Sequence, residues 1–144
     1  MVKFLDLYQI NERHRDEIES AIGRVLDSGW YILGGEAEKF ENEFADFCGT
    51  KYAIGVANGL DALIISLKAL GIGQGDEVIV PSNTYIATAL AVTATGAIPI
   101  FVEPDVDTFN LDPVQVEAAI TEKTKVIIPV HLYGRACEMD LIMK

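Results

Sequence analysis

The sequence predicts an α/β fold built on a mostly parallel sheet, because short apolar runs alternate with helical patterns along the chain. Each of the apolar runs 52–57, 78–80 and 126–130 stops at a small or polar loop that opens into a helical pattern. Units of strand, loop and helix place parallel strands side by side, with crossover helices between them. We therefore expect the loops to meet at the carboxyl edge of one sheet, where open α/β sheets bind ligands.

The composition is that of an ordinary soluble domain, with 144 residues of which 50% are hydrophobic and 23% are charged. We expect one α/β unit over residues 1–144. Because 22 acidic residues oppose 11 basic ones, we do not expect a nucleic-acid surface. No apolar run has the roughly 18 residues of a membrane span, and no metal-ligand spacing is present, so we expect no membrane contact and no metal. Cys48 and Cys137 are expected to be reduced structural thiols, in keeping with a cytoplasmic location.

Two helices are predicted before the first strand, which covers residues 52–57. The first helix covers residues 11–27, ends at Gly29, and carries an apolar stripe formed by Ile18, Ile22, Val25 and Leu26. The second covers residues 36–48 and ends at Gly49. It repeats phenylalanine at helical spacing, which predicts core packing against the sheet by Phe40, Phe44 and Phe47.

The middle of the chain predicts a helix, a strand and a second helix. The first helix runs over residues 60–67 and ends at Gly71, and the strand covers residues 78–80. Residues 86–95 form a weaker helical pattern, whose alanines and threonines offer a small packing face, and Gly96 ends it.

The last third predicts two strands around a helix. Residues 98–102 form an apolar run that suits a strand covered on both faces, although Pro99 is more typical of a strand start or a sheet edge. Asp112 and Pro113 start a helix as N-cap and first residue, with inward-facing positions at Val116, Ala119 and Ile120. A strand over residues 126–130 follows.

The end of the sequence predicts an amphipathic helix over residues 138–144, with Met139, Ile142 and Met143 on one side. No glycine, asparagine or proline stop signal follows this pattern. We therefore expect the chain to be the N-terminal part of a longer protein.

The loop at Asn58 and Gly59 is a candidate phosphate site. A strand that runs into glycine and turns directly into a helix exposes backbone N–H groups at the positive end of the helix dipole, which can bind phosphate. Asp61 in the first turn is equally explained as a helix-start residue without a ligand. A single glycine also lacks the pattern of a P-loop or a dinucleotide fingerprint.

Tyr85 follows the second predicted strand, where a strand turns into a helix. A ring in this position can lie flat over a planar ligand that the first loop holds. The alternative is a half-buried tyrosine whose hydroxyl reaches water.

Several segments resemble, in order and spacing, the N-terminal third of the DegT/StrS family of sugar-nucleotide aminotransferases. They are residues 55–63, 71–88 and 129–134. Residues 30–34 also fit, except that Gly35 stands where many members carry proline. The resemblance covers essentially the whole chain.

The resemblance implies the N-terminal part of the large domain of a fold-type I transferase that uses pyridoxal 5′-phosphate (PLP), an α/β/α domain with a mostly parallel sheet. Such enzymes are usually homodimers. The resemblance places the cofactor phosphate on the backbone of Gly59, Leu60 and Asp61, and an aromatic ring over the pyridine at Tyr85. It places Tyr31 near the active site of the partner subunit, where it would touch the sugar nucleotide.

Related enzymes hold the PLP-binding lysine and the acidic partner of the pyridine nitrogen beyond the last residue of this sequence. No lysine of the chain fits that role. Four are predicted at the opposite edge of the sheet from the loops, namely Lys51, Lys68, Lys123 and Lys125. The other three, Lys3, Lys39 and Lys144, are predicted in terminal or surface segments. We therefore assign no catalytic residue and expect no transamination by the 144-residue chain alone. His131 is expected to be oriented by backbone hydrogen bonds and not to be catalytic.

The leading hypothesis is a PLP-dependent aminotransferase that moves an amino group from L-glutamate to a nucleotide-linked keto-sugar, in deoxyamino sugar biosynthesis. Residues 58–63 resemble members that act on dTDP-linked 3-keto-6-deoxyhexoses more than members that act on 4-keto sugars. Two alternatives are a non-catalytic domain that binds a phosphorylated ligand with the same loops, and a regulatory or dehydratase relative of the family.

Overall fold

A computed structural model describes residues 3–144, which fall into two units, the first ending at Gly55 and the second being Val56–Lys144. The sheet lies entirely in the second unit, and residues 3–55 contain helices but no strand. The expectation of one α/β unit over residues 1–144 stays a prediction. Within residues 3–144, every helix is too short or too polar to cross a membrane.

The first unit contains three helices, α1 (Leu7–Glu12), α2 (Arg15–Ser28) and α3 (Gly35–Cys48). The predicted stop signals are confirmed, because Gly29 ends α2 and Gly49 ends α3 with φ values of 64° and 67°. Glycine enters this left-handed region without the steric cost that a Cβ atom imposes. The predicted first helix is confirmed over most of its length, although its first residues belong to α1.

The phenylalanines of α3 lie on the surface, and the prediction that they pack against the sheet is wrong. Phe40, Phe44 and Phe47 are 60%, 47% and 87% exposed. They contact one another, with ring centroids 5.6 Å apart in the first pair and 6.3 Å in the second. Helical periodicity identifies the apolar face of a helix but not the surface that covers it, and residues 3–55 contain no sheet.

Residues 52–57 form no strand, so the predicted first strand is wrong. Ile54 is 82% exposed, and the Gly55 N–H donates to the carboxylate of Glu41 at 2.6 Å instead of to a neighbouring strand. A strand is stable only when its backbone groups pair with a second strand. The apolar run predicts the extended conformation, but within residues 3–144 no strand pairs with it.

The second unit contains the predicted parallel sheet. Its strands are β1 (Glu77–Pro81), β2 (Ile98–Val102) and β3 (Thr124–Ile127), in the spatial order β2-β1-β3 with both pairings parallel. The central strand is the core of this unit, and Val78 and Ile79 within it are fully buried. The parallel arrangement confirms the sequence prediction.

The outer strands are less covered than the sequence suggests. β2 lies at an edge of the sheet, where Pro99 is tolerated, and Ile98 and Phe101 are 49% and 56% exposed. The expectation that β2 is covered on both faces is therefore wrong. β3 ends at Ile127, before the predicted end at residue 130, although the Ile128 N–H still donates to the Ile79 carbonyl at 2.9 Å.

Helices cover both faces of the sheet, which confirms the predicted α/β/α arrangement. α4 (Gly59–Ala69) and α5 (Ala87–Ala94) pack on the face that Val78 and Val80 share, in a cluster with Leu67, Ile72, Ala91, Val92 and Ala97. Ile79 points to the other face because side chains alternate along a strand. There it packs with residues that include Val102, Leu111 and Val116, the last from α6 (Pro113–Ala119).

The start of α6 is as predicted, because the Asp112 carboxylate accepts from the Val114 N–H at 2.9 Å and Pro113 is the first helical residue. Of the positions expected to face inward, Val116 is buried but Ile120 is 53% exposed. In the last helix, α7 (Met139–Ile142), Ile142 packs against the core whereas Met143 is 76% exposed. The ends of both short helices therefore depart from the predicted apolar faces.

Candidate functional site

Hydrogen bonds join the loops that follow the three strands. The Ser82 N–H, just after β1, donates to the Val102 carbonyl at 2.9 Å. The Asn83 side chain donates to the Phe109 carbonyl at 2.9 Å, which ties the loop after β1 to the loop after β2. The Asn110 side chain accepts from the Leu132 N–H at 3.0 Å, which ties in the loop after β3. The carboxyl edge is thus one connected surface, as the parallel strands require.

The N-terminus of α4 points toward this edge. Residues 70–76 join the end of α4 to the start of β1, so the C-terminal end of α4 lies toward the amino edge of the sheet and its N-terminus toward the carboxyl edge. Within residues 3–144, the N–H groups of Gly59 and Leu60 donate to no protein atom. A Cβ built on Gly59 meets nothing within 4 Å, so this helix end is open. Two free donors at the positive end of a helix dipole can bind an anion.

Asn58 caps α4, a role that was not among the sequence predictions. Its Oδ1 accepts from the Asp61 N–H at 2.9 Å, and its Nδ2 donates to the Asp61 carboxylate at 3.2 Å. The Asp61 amide, a predicted phosphate donor, is therefore engaged by the protein itself. The signal was present in the sequence, since asparagine directly before a helical pattern is a strong N-cap residue.

Tyr85 is 80% exposed, so the alternative prediction of a half-buried tyrosine is wrong. Its backbone is fixed where α5 begins, because its carbonyl accepts from the Thr88 N–H at 3.0 Å. The hydroxyls of Thr84 and Thr88 lie 3.0 Å apart on either side of it in sequence. A held backbone with an exposed ring leaves a flat aromatic face available to a ligand.

Asn110 is a buried polar residue whose role was not among the sequence predictions. It is 3% exposed, and its Nδ2 donates to the carbonyls of Arg135 and Ala136 at 3.0 and 3.1 Å. Together with the bond from Leu132, these contacts use the donor and acceptor capacity of its amide. A buried amide that is fully satisfied holds its surroundings in one arrangement.

The loops around Asn110 contain two strained residues. Phe109 and Tyr133 have φ values of 60° and 53°, which residues with a Cβ atom adopt only at a cost of roughly 1–3 kcal/mol each. Their rings meet edge to face with centroids 6.1 Å apart. Hydrogen bonds from the hydroxyl and N–H of Thr108 hold the pKa of the Asp105 carboxyl below its ordinary value, so this turn is anchored by a carboxylate.

His131 is oriented by the backbone, as predicted. Its Nδ1 accepts from the Cys137 N–H at 2.9 Å, so the neutral ring carries its proton on Nε2. The Cys137 thiol is buried and contacts the Val130 carbonyl at 3.3 Å, which fits a structural thiol. Cys48 is also a free thiol, but it is exposed.

Tyr31 belongs to the first unit and is 67% exposed. It lines a surface cavity of about 310 Å³ between the end of α2 and the start of α3. The ion pair of Arg24 and Glu36 borders this cavity, with its shortest N–O distance at 2.5 Å. The structure thus brings Gly59 and Tyr85 to one edge of the sheet, whereas Tyr31 is part of a different unit.

Three lysines of the second unit, Lys68, Lys123 and Lys125, stand away from these loops, as predicted. Lys68 lies in the last turn of α4, and Lys123 and Lys125 lie at the start of β3, where the Lys125 Nζ donates to the Glu122 carbonyl at 3.3 Å. These positions are at the amino edge of the sheet. None of these three lysines is therefore a candidate Schiff-base lysine at the carboxyl edge.

Comparisons with known proteins match this chain to aminotransferases. The DegT/DnrJ/EryC1/StrS aminotransferase family profile matches residues 12–144. A dTDP-3-amino-3,6-dideoxy-alpha-D-galactopyranose transaminase from Aneurinibacillus thermoaerophilus is 61% identical over 142 residues, which are 99% of this chain and 39% of that protein. The chain therefore spans well under half the length of this relative.

Solved structures agree with the sequence matches. Streptomyces venezuelae DesV, solved in complex with a ketimine intermediate, matches with 57% identity and a TM-score of 0.95, over 99% of this chain and 38% of that one. NtdA from Bacillus subtilis, solved with bound cofactor PMP, matches with 39% identity and a TM-score of 0.91, over 98% of this chain and 33% of that one. At 57% and 39% identity, this chain is similar to both proteins in sequence as well as in fold.

Proposed function

Because the chain belongs to the DegT/DnrJ/EryC1/StrS aminotransferase family, we propose that the whole protein is a PLP-dependent aminotransferase. It transfers an amino group from L-glutamate to a nucleotide-linked keto-sugar, in deoxyamino sugar biosynthesis. The observation that carries the proposal is the open N-terminus of α4 at the carboxyl edge of the sheet, in a chain that is 61% identical to a sugar-nucleotide transaminase.

The N-terminus of α4 fits the phosphate group of PLP. The free N–H groups of Gly59 and Leu60 donate to the phosphate, and the helix dipole favours its negative charge without a basic side chain. A third donor, the Asp61 N–H, becomes available when the Asn58 side chain turns away from it. Three backbone donors on one helix end hold the phosphate in a fixed orientation.

Tyr85 covers one face of the pyridine ring of PLP. Its ring is exposed and its backbone is fixed at the start of α5, so stacking requires no rearrangement of buried groups. Stacking also excludes water from that face of the cofactor. Bound PLP supplies the electron sink for amino transfer, whereas these residues bind and orient it.

The proposed substrate is a dTDP-linked 3-keto-6-deoxyhexose. The similarity of residues 58–63 to enzymes of that group supports it, as does the name of the relative from Aneurinibacillus thermoaerophilus. Tyr31 contacts the sugar nucleotide bound by the partner subunit of a homodimer. Its exposed ring and the polar pair of Arg24 and Glu36 beside it suit a ligand with both apolar and polar parts.

The proposal is tested with the whole protein loaded with PLP. Addition of L-glutamate should replace the absorbance band of bound PLP with that of PMP, and a dTDP-linked 3-keto-6-deoxyhexose should restore the PLP band. The corresponding 4-keto sugar should restore it much more slowly. An unchanged spectrum with glutamate and with other amino donors would contradict the proposed activity.

A second candidate is a non-catalytic domain that binds a phosphorylated ligand. The same open end of α4 favours it, because two free backbone donors bind any phosphate group. The spectral experiment separates the two candidates. Tight binding of PLP without amino exchange in either direction would favour the binding domain.

Tyr85→Ala in the whole protein should weaken PLP binding about fivefold or more, because the loss of a stacked aromatic ring costs on the order of 1 kcal/mol. Tyr85→Phe should bind PLP like the wild type, since it keeps the ring and loses only the hydroxyl. The measurement is a titration of the apoprotein with PLP, followed by absorbance. Equal losses in the two variants would assign the contribution to the hydroxyl and refute the stacking role.

A further inference from the structure

We propose that Asn83 is a positioning residue for the cofactor site. Its side-chain hydrogen bond to the Phe109 carbonyl fixes the loop after β1, so that the Tyr85 ring is held over the bound cofactor. The inference rests on the proposed function. It adds to that function a residue that makes no contact with PLP and acts through Tyr85.

The Asn83 bond is not required by burial. Asn83 is exposed, so its amide can donate to water without cost, yet its Nδ2 lies 2.9 Å from a carbonyl that is 26 residues away in sequence. Buried amides must find partners to avoid a desolvation penalty, whereas exposed amides need none. The bond therefore matters for where it places the loop.

The Phe109 carbonyl is a rigid anchor. Phe109 is held in a left-handed conformation, its N–H donates to the Asp105 carbonyl at 2.8 Å, and its ring contacts Tyr133. The next residue, Asn110, is buried and is bonded to the backbone of the loop that follows β3. A strained residue keeps such a conformation only where its surroundings determine it. The loop after β1 is thus tied to a part of the carboxyl edge that several hydrogen bonds hold.

Tyr85 depends on this anchor because its ring has little support of its own. The ring is 80% exposed, so packing does not fix its direction, and its position follows from the backbone on either side. On the C-terminal side, the Tyr85 carbonyl accepts from the Thr88 N–H at the start of α5. On the N-terminal side, the loop is held by the Ser82 N–H bond to the Val102 carbonyl at 2.9 Å and by the Thr84 hydroxyl, which lies 3.0 Å from that of Thr88. Asn83 adds the bond that ties this loop to Phe109, two residues before Tyr85.

A double-mutant cycle in the whole protein tests the inference, with PLP affinity of the apoprotein as the readout. Asn83→Ala should weaken PLP binding about three- to tenfold, the contribution of one hydrogen bond that orders the site. The double variant with Tyr85→Ala should bind no more weakly than Tyr85→Ala alone, because the two residues act through one ring. When the protein is saturated with PLP, the circular dichroism of the bound cofactor should also differ between Asn83→Ala and the wild type.

Asn42→Ala is the matched control, because Asn42 is an exposed asparagine of α3 whose side chain makes no hydrogen bond within residues 3–144. It should bind PLP like the wild type, and the unfolding temperature of Asn83→Ala without cofactor should stay close to that of the control. Wild-type affinity in Asn83→Ala, or losses that add in the double variant, would overturn the inference. Failure of the wild type to bind PLP would contradict the proposed function and this inference together.

Discussion

Gly59→Pro in the whole protein should weaken PLP binding by about 10- to 100-fold, because it removes one N–H donor from the phosphate and a hydrogen bond to a charged group contributes about 1.5–3 kcal/mol. Gly59→Ala keeps that N–H and should bind PLP like the wild type. The pair isolates one backbone donor, which side-chain substitutions elsewhere in the site cannot do. The measurement is a PLP titration of both apoproteins.

The fold should accept both changes at Gly59. Gly59 is the first residue of α4, the position where proline is favoured because its missing N–H has no partner in the helix. Asn58 before it is extended, with φ −166° and ψ 175°, a conformation compatible with a following proline. No atom lies within 4 Å of an added Cβ.

Circular dichroism of the Gly59→Pro and Gly59→Ala apoproteins checks that α4 is intact in both. Equal PLP affinity in the two variants would remove Gly59 from the phosphate site. The proposed cofactor site would then be supported by Tyr85 and by the family membership of the chain.

The 144-residue chain studied alone should associate into dimers or larger species, which light scattering after size-exclusion chromatography would detect. Its apolar side chains are widely exposed, and those of Phe44 and Ile54 are 47% and 82% accessible. The extended residues around Ile54 pair with no strand, and β2 is an open edge of the sheet. Unpaired backbone beside apolar side chains recruits other chains.

Ile54→Lys should reduce this association, because a charge in the unpaired segment opposes pairing with a second chain. Val106→Lys is the matched control, since Val106 is 80% exposed but lies in a tight turn. A monomer that unfolds cooperatively at micromolar concentration would show that the chain is a self-sufficient domain. That result would also strengthen the hypothesis of a small phosphate-binding domain.

Much of the candidate site could be predicted because its signals are local. A glycine that starts α4 and a tyrosine that precedes α5 follow directly from the positions of the loops, and parallel strands bring those loops to one edge. Asn58 was missed although its signal is local as well. Asn83 and Asn110 had no such signal, because their side chains bond to backbone groups 22 to 26 residues away.

The sequence by itself determined the elements whose causes lie within a few residues. Gly29, Gly49, Gly71 and Gly96 end helices through left-handed conformations, Asp112 caps α6, and a continuous apolar run defines β1. Each depends on backbone sterics or on a hydrogen bond between near neighbours, and these are the same in any fold.

Only the tertiary structure decided which apolar surfaces are covered. Residues 52–57 have the pattern of a strand, but no strand within residues 3–144 pairs with them. The phenylalanines of α3 have the pattern of core residues, but they are exposed to solvent. The apolar run of β2 predicts a covered strand, but β2 lies at an edge of the sheet. The exposed fraction of a side chain and the pairing of a strand depend on a second element distant in sequence. The periodicity of apolar residues indicates which face of an element tends to be buried. The element that covers this face is determined by the packing of the whole chain.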